Sequence, residues 1–329
     1  MKEIFNELID HRSLTKESAR NVLVELASGK YNTSQMAAFM TVYMMRSITV
    51  DELQGFRDAM LELCVPARFE QPVMDVCGTG GDGKNTFNMS TLSSFVVAAA
   101  GQPVAKHGNY GVSSACGSSN LLEFFGYKFT SDMDILRKSL DHANICFLHA
   151  PLFHPAMKNM APIRKELGVK TFFNMLGPMV NPSFPTLQLV GVFNLELARQ
   201  YGYLYQNTDK QFLILHSLDG YDEVSLTGPF KYFSNLGEKI MEPADLGLSR
   251  LKYEDIRGGS TVAESAQVFM DVLEGKGTEA QKSAVVANAG MALYTASQND
   301  GILQAVSRAK EALESGKALK AFKRLMESN

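Results

Sequence analysis

Two glycine-rich stretches about 25 residues apart, each following a short apolar run, set the strongest limit on how this chain can fold. The first reads D-V-C-G-T-G-G-D-G-K-N-T-F-N-M-S-T from Asp75 to Thr91, and the second K-H-G-N-Y-G-V-S-S-A-C-G-S-S-N from Lys106 to Asn120. Glycine, hydroxyl and amide residues at this density expose many backbone N–H groups and let a ligand approach the main chain. The two stretches read as two walls of one phosphate-rich pocket. That points to a phosphorylated sugar as substrate.

The rest of the chain bounds this reading. Its 329 residues suffice for a large core and two domains. A net charge of −3 gives no basic field for nucleic acid, so phosphate recognition must be local. Cys64, Cys77, Cys116 and Cys146 form no C-x-x-C pair and read as reduced thiols of a cytoplasmic protein. The N-terminus M-K-E-I-F-N-E-L-I-D carries acids within its apolar pattern, unlike a signal peptide. The apolar run at 95–100 is too short to cross a membrane.

The first 65 residues read as short helices. Thr15 precedes Ala19, Val22, Leu23, Leu26 and Ala27, with Gly29 as a stop; Thr33 precedes Met36, Ala37, Met40, Val42, Tyr43 and Met44. Thr49 to Glu52 is a capping box, and Pro66 closes the series. The character changes near residue 72. Apolar, β-leaning runs lie at 73–76, 104–105, 145–148, 187–193 and 212–216, with helical patterns at 92–100, 120–125 and 133–143. Further helices close the chain at 279–297, 301–315 and 318–327. The expected fold is α/β. A small N-terminal helical domain (1–70, joined by part of 151–185) precedes a larger α/β domain (71–329) with a mainly parallel central sheet. Both glycine-rich stretches follow strands, so both lie at the carboxyl rim where such sheets bind ligands.

Several residue groups could carry chemistry. Gly78, Gly81 and Asp82 sit in a loop able to fold around a diphosphate, and Asn88, Met89, Ser90 and Thr91 then open a helix whose N-terminus attracts anions. Taken singly, such a loop is more often a turn and an ordinary cap. It completes neither a P-loop nor a dinucleotide fingerprint. Lys106 is a compact phosphate anchor, Asn109 can orient an aromatic amine or carboxylate, and His107 reads equally as a contact or a packed imidazole. Asp222 and Glu223 follow the strand at 212–216 and suit Mg²⁺, although an isolated D-E pair is usually a solvated turn. Arg164 suits bidentate capture of a carboxylate.

Together the stretches resemble the anthranilate phosphoribosyltransferases. The similarity rests on D-V-C-G-T-G-G-D-G with F-N-M-S-T, K-H-G-N with V-S-S, H-P-A-M-K with A-P-I-R, L-G-V-K-T-F-F-N-M-L-G-P-M-V-N-P, and D-E-V-S-L. It implies transfer of phosphoribose from phosphoribosyl diphosphate (PRPP) to the amine of anthranilate with Mg²⁺, in a homodimer formed through the helical part. It implies PRPP contacts at Gly78, Gly81, Asp82, Thr86, Asn88, Met89, Ser90, Thr91, Lys106, His107, Gly108, Asn109, Ser113, Ser114 and Ser118. It places anthranilate on Gly78, Asn109 and Arg164, and the metal on Ser90, Asp222 and Glu223; it assigns no residue to acid–base or covalent catalysis. The chain departs from the family at Tyr110 and Ala115, where basic residues are common, and at Asn120, where the family has an acid. A pyrimidine nucleoside phosphorylase of the same fold and a non-catalytic nucleic-acid-binding relative are the alternatives.

Overall fold

The computed structural model describes residues 1–111 and 115–328. Four helices open the chain: α1 (Lys2–Ile9), α2 (Lys16–Ala27), α3 (Thr33–Met45) and α4 (Val50–Glu62). Their starts are encoded locally. Thr15 accepts from the Ser18 N–H and Thr49 from the Glu52 N–H. The cap of α3 is Asn32, one residue before Thr33, because its amide oxygen reaches the Gln35 N–H at 2.9 Å. Such caps stabilise a helix by about 1 kcal/mol each. Glu52 does more than complete a capping box. Its buried carboxylate accepts from the Leu14 N–H, the Tyr43 hydroxyl and the Arg46 guanidinium, tying α4 to α3 and to the chain entering α2.

Strands then alternate with helices: β1 (Met74–Gly78), α5 (Met89–Ala99), β2 (Val104–Gly108), α6 (Ser118–Phe124), α7 (Met133–Ala143) and β3 (Ile145–His149). Three short helices follow, α8 (Ala150–Phe153), α9 (Ala161–Leu167) and α10 (Phe173–Leu176). The chain returns through β4 (Leu187–Gly191), α11 (Leu195–Tyr205), β5 (Gln211–Ser217), β6 (Phe230–Ser234) and β7 (Gly237–Met241). It ends in α12 (Val262–Leu273), α13 (Glu279–Ala296), α14 (Ile302–Glu314) and α15 (Lys317–Glu327).

The strands form one sheet in the order β3-β2-β1-β4-β5-β6-β7. Strands β1 to β5 are parallel, as expected, while β6 and β7 add an antiparallel hairpin. The hairpin and helices α11 and α12 were not marked in the sequence. In G-E-K-I-M only Met241 is buried, so no apolar run announces β7.

Alternation along the strands splits the core between the two faces of the sheet. Met74, Val76, Leu189, Leu213 and Leu215 pack with α5 and α13 on one side. Cys77, Val190 and Ile214 pack with α11 and the N-terminal helices on the other. Met160, Ile163, Phe172, Phe173, Leu176 and Met179 belong to that second core. Phe172 stacks on Phe56 at 4.5 Å between ring centroids and meets Phe39 and Tyr43 edge-on. Residues from 155 to 180 therefore return to the N-terminal helices, and a cleft opens between them and the carboxyl ends of β1 and β2.

Candidate active site

The strand order reverses between β1 and β4, and both strands end in glycine: Gly78 pairs with Gly191. A Cβ on Gly191 would lie 1.5 Å from the Asp222 carbonyl oxygen, and one on Gly78 2.5 Å from Asp222 Oδ2. Only residues without side chains let the loop after β5 lay Asp222 across this switch point. There Asp222 Oδ2 accepts from the Gly80 N–H at 2.6 Å. Glu223 accepts from the Ser90 N–H at 3.0 Å and from the Thr86 hydroxyl at 3.2 Å. The two carboxylates thus hold the first glycine-rich loop at its start and at its end.

Their charges are not balanced. Burial pushes the Asp222 carboxyl well above the ordinary range, with repulsion from Glu223 and Asp82 adding to it. Burial, and after it the charge of Asp82, pushes Glu223 up to about 7 against the hydrogen bonds from Ser90 and Thr86. Carboxylates in this state favour a proton or a cation beside them.

The second wall follows β2. Lys106 is buried, and its ammonium donates to the Val76 carbonyl at 2.6 Å rather than reaching freely into the cleft. Burial lowers its pKa, with Asp75 opposing that shift. The backbone N–H of His107 donates to the buried Asp75 at 3.2 Å. His107 Nδ1 lies 3.2 Å from the Gly177 carbonyl, which can only accept, so Nδ1 carries the proton and Nε2 is a bare acceptor. Among the described residues that buried Nε2 has no partner, and burial holds the imidazole down to about 3. Asn88 Nδ2 donates to the Cys116 carbonyl at 2.9 Å and joins the two walls.

The third side comes from the segment that returns to the helical bundle. Arg164 in α9 is half-buried, with its guanidinium 5.1 Å from the centre of the Phe173 ring. Burial lowers its pKa, and among the described residues it has no carboxylate partner. A desolvated guanidinium beside an aromatic face is arranged for a planar anion.

The cleft brings together Gly78, Gly81, Asp82, Thr86, Asn88, Ser90, Thr91, Lys106, His107, Gly108, Asn109, Ser118, Arg164, Asp222 and Glu223. Met89 does not line it, because its side chain lies in the core and its N–H donates to the Phe87 carbonyl. Ser113 and Ser114 lie outside the described residues. Residues not predicted also line the cleft, among them Phe173, Asn174 and Pro178. Lys170 donates to the Gly81 carbonyl, bridging from the returning segment to the first loop. A lone lysine between Val169 and Thr171 carried no signal of that reach.

Two family models match the chain: the helical bundle domain of a glycosyl transferase family over residues 2–64 and its a/b domain over residues 70–319. The chain belongs to this glycosyl transferase family and, within it, to the anthranilate phosphoribosyltransferases. It is 60% identical over 326 residues to the anthranilate phosphoribosyltransferase of Christiangramia forsetii, covering 99% of this chain and 98% of that one. With the corresponding enzyme of Bacteroides thetaiotaomicron the identity is 51%, over 100% of this chain and 99% of the other. The crystal structure of the Thermus thermophilus enzyme superposes with a TM-score of 0.91 at 32% identity, covering 98% of both chains. The Saccharomyces cerevisiae enzyme, solved with PRPP and Mg, shares the fold at a TM-score of 0.90 and 24% identity, covering 98% of this chain and 96% of that one.

Proposed function

We propose that this chain transfers the phosphoribosyl group of PRPP to the amine of anthranilate, releasing diphosphate, as a step of tryptophan biosynthesis. One observation carries the reading. The cleft places an under-compensated carboxylate pair at one end and an unpartnered, desolvated guanidinium at the other, with two glycine-rich loops between them. The acidic end suits a divalent cation with a polyphosphate, and the basic end an aromatic carboxylate.

The residues fit Mg²⁺. Burial and mutual repulsion make a proton or a cation beside Asp222 and Glu223 favourable, and Ser90 lies beside them with its N–H on Glu223. That suits Mg²⁺, which takes one or two carboxylates and completes its shell with water and substrate phosphate oxygens. When bound, the ion supplies neutralisation of charge on the departing diphosphate.

The chain's own residues orient and polarise. Gly78, Gly81, Asp82, Thr86, Asn88, Thr91, Lys106, Gly108 and Ser118 would face PRPP. Arg164 would clamp the anthranilate carboxylate, with Asn109 directing the amine toward the anomeric carbon. The nitrogen lone pair forms the new C–N bond as the C–O bond to diphosphate breaks; the bonding pair leaves with the diphosphate, and the nitrogen then gives up a proton to solvent. An aromatic amine is neutral at pH 7, so no strong base must precede attack. Alignment of this kind can lower a barrier by about 7–11 kcal/mol in the best cases.

Two further parts belong to the proposal. A homodimer through the helical domain is supported by apolar surface there, where Met45 is 83% and Ile9 71% exposed. A cytoplasmic setting accords with four free cysteines. Among the described residues no helix is long and apolar enough to cross a membrane. The test is loss of anthranilate fluorescence with PRPP and Mg²⁺, each omitted in turn. Consumption only with all three present supports the reading. Turnover of nucleosides with inorganic phosphate, and none with PRPP, would sink it.

A further inference from the structure

The stretch from Gly108 to Asn120 contains no charged side chain. The described part of it that lines the cleft has only uncharged N–H and O–H dipoles to offer a phosphate, so its affinity depends on shape. That shape converges on one atom. Asn120 Oδ1 accepts from the Gly111 N–H at 2.8 Å and from the Gly117 N–H at 3.0 Å. The second bond alone would be ordinary capping at the start of α6. The first comes from the other stem, six residues earlier in the chain. The stems also touch through backbone: a Cβ on Gly117 would sit 2.2 Å from the Gly111 nitrogen. The Ser119 N–H donates to the Asn109 carbonyl at 3.1 Å, and Tyr110 donates its hydroxyl to Glu123 at 3.2 Å. Asn109, Gly111, Gly117 and Ser118 line the cleft, whereas Asn120 stands behind them.

We infer that Asn120 is a positioning residue for PRPP: its one amide oxygen holds Gly111 and Gly117 together and so aims the uncharged donors of Asn109 and Ser118 at the phosphate groups. The inference rests on the transferase reading above. By anchoring two stems at once, Asn120 does for an uncharged loop what a salt bridge does for a charged one, without placing a carboxylate beside a polyanion. Removing the oxygen leaves two N–H groups to turn toward water or ligand, and the wall loses its alignment.

The test compares the wild type with Asn120→Leu, which keeps the size and removes the acceptor, and Asn120→Asp, which keeps the acceptor. Steady-state kinetics are measured for both substrates alongside thermal melting. For Asn120→Leu the KM for PRPP should rise at least roughly tenfold, with kcat within about threefold and the KM for anthranilate within about twofold. Asn120→Asp should recover most of the PRPP affinity. An unchanged PRPP KM in Asn120→Leu, or an equal loss of both substrates tracking a lowered Tm, overturns the inference and leaves Asn120 a plain helix cap. If the wild type itself gives no turnover, the transferase reading fails. Affinity for inorganic diphosphate in the same three proteins then decides the loop: a loss in Asn120→Leu that Asn120→Asp restores supports the inference, and equal affinities overturn it.

Discussion

The two glycine-rich walls look alike in composition and are held by opposite means. The first, from Gly78 to Thr91, contains Asp82 and Lys84 and is fastened at both ends to Asp222 and Glu223. The second, from Gly108 to Asn120, has no charge of its own; one amide oxygen and backbone contact close its neck, and hydrogen bonds from Asn88 and to Glu123 tie it to its surroundings. Charge makes the first wall sensitive to pH and, on the proposed function, to a cation. Shape makes the second dependent on steric detail. On the proposed function a polyphosphate substrate would use both: the first wall would manage charge through a cation, and the second would present uncharged donors to the phosphate groups.

The largest effect should come from dismantling the charged fastening. Asp222→Asn together with Glu223→Gln keeps the acceptor oxygens but removes both charges. Mg²⁺-dependent turnover should fall by about a thousandfold or more, on the scale of losing a main electrostatic element of an active site. The same variant should melt higher than the wild type in Mg²⁺-free buffer at pH 8. The sign follows from the raised carboxyls. Between the ordinary glutamate value and about 7 the native state binds more protons than the unfolded chain, so stability falls as pH rises through that window. Neutral side chains escape the loss. A lower melting temperature for the variant at pH 8 would contradict the account of the first wall.

Next in size is Arg164→Ala, which lies on neither wall. Losing a desolvated partner for a carboxylate costs about 2–4 kcal/mol, and it should appear in the KM for anthranilate with that for PRPP nearly unchanged. Equal damage to both substrates would mean that the two ends of the cleft are not separate. Gly117→Ala should be somewhat milder. It forces a methyl group against the Gly111 nitrogen, parts the stems and should raise the PRPP KM about tenfold, at a cost of about 1–3 kcal/mol from overpacking. The finest discrimination is by pH. The Mg²⁺ concentration for half-maximal rate should climb as pH falls below about 7, by at most about tenfold per unit for each proton displaced. The ratio of PRPP KM values between Gly117→Ala and wild type should stay flat from pH 6 to 8, because the neck is closed by an amide oxygen and two backbone N–H groups, none of which ionises. A pH-dependent ratio would show that the walls are coupled.

Much of this was legible beforehand. The parallel strands were marked by apolar runs, and helices α2 and α4 by caps whose partners lie within one turn, while α3 is capped by Asn32 and not Thr33. The composition of the two loops pointed to two walls of one pocket, and residues of both line the cleft. The features that escaped notice have no local signature. The β7 strand is exposed along most of its length, and its place follows from pairing with β6. Asn120 reads in sequence as a departure from the family pattern and in space as the fastening of a loop. Lys170 was given no role within the L-G-V-K-T-F-F block and reaches the Gly81 backbone.

By itself the sequence determined most of the helices and the five parallel strands, that the loops after β1 and β2 are rich in backbone donors, and which acids, amides and cations were available. Caps, side-chain periodicity and glycine content act over a few residues, so they can be read in order along the chain. Only the tertiary structure decided that Asp222 rests on the Gly78–Gly191 pair, that α9 turns Arg164 toward the cleft, and that one oxygen of Asn120 gathers two stems. Each of these depends on close approach between segments distant in the chain, and packing alone sets that distance.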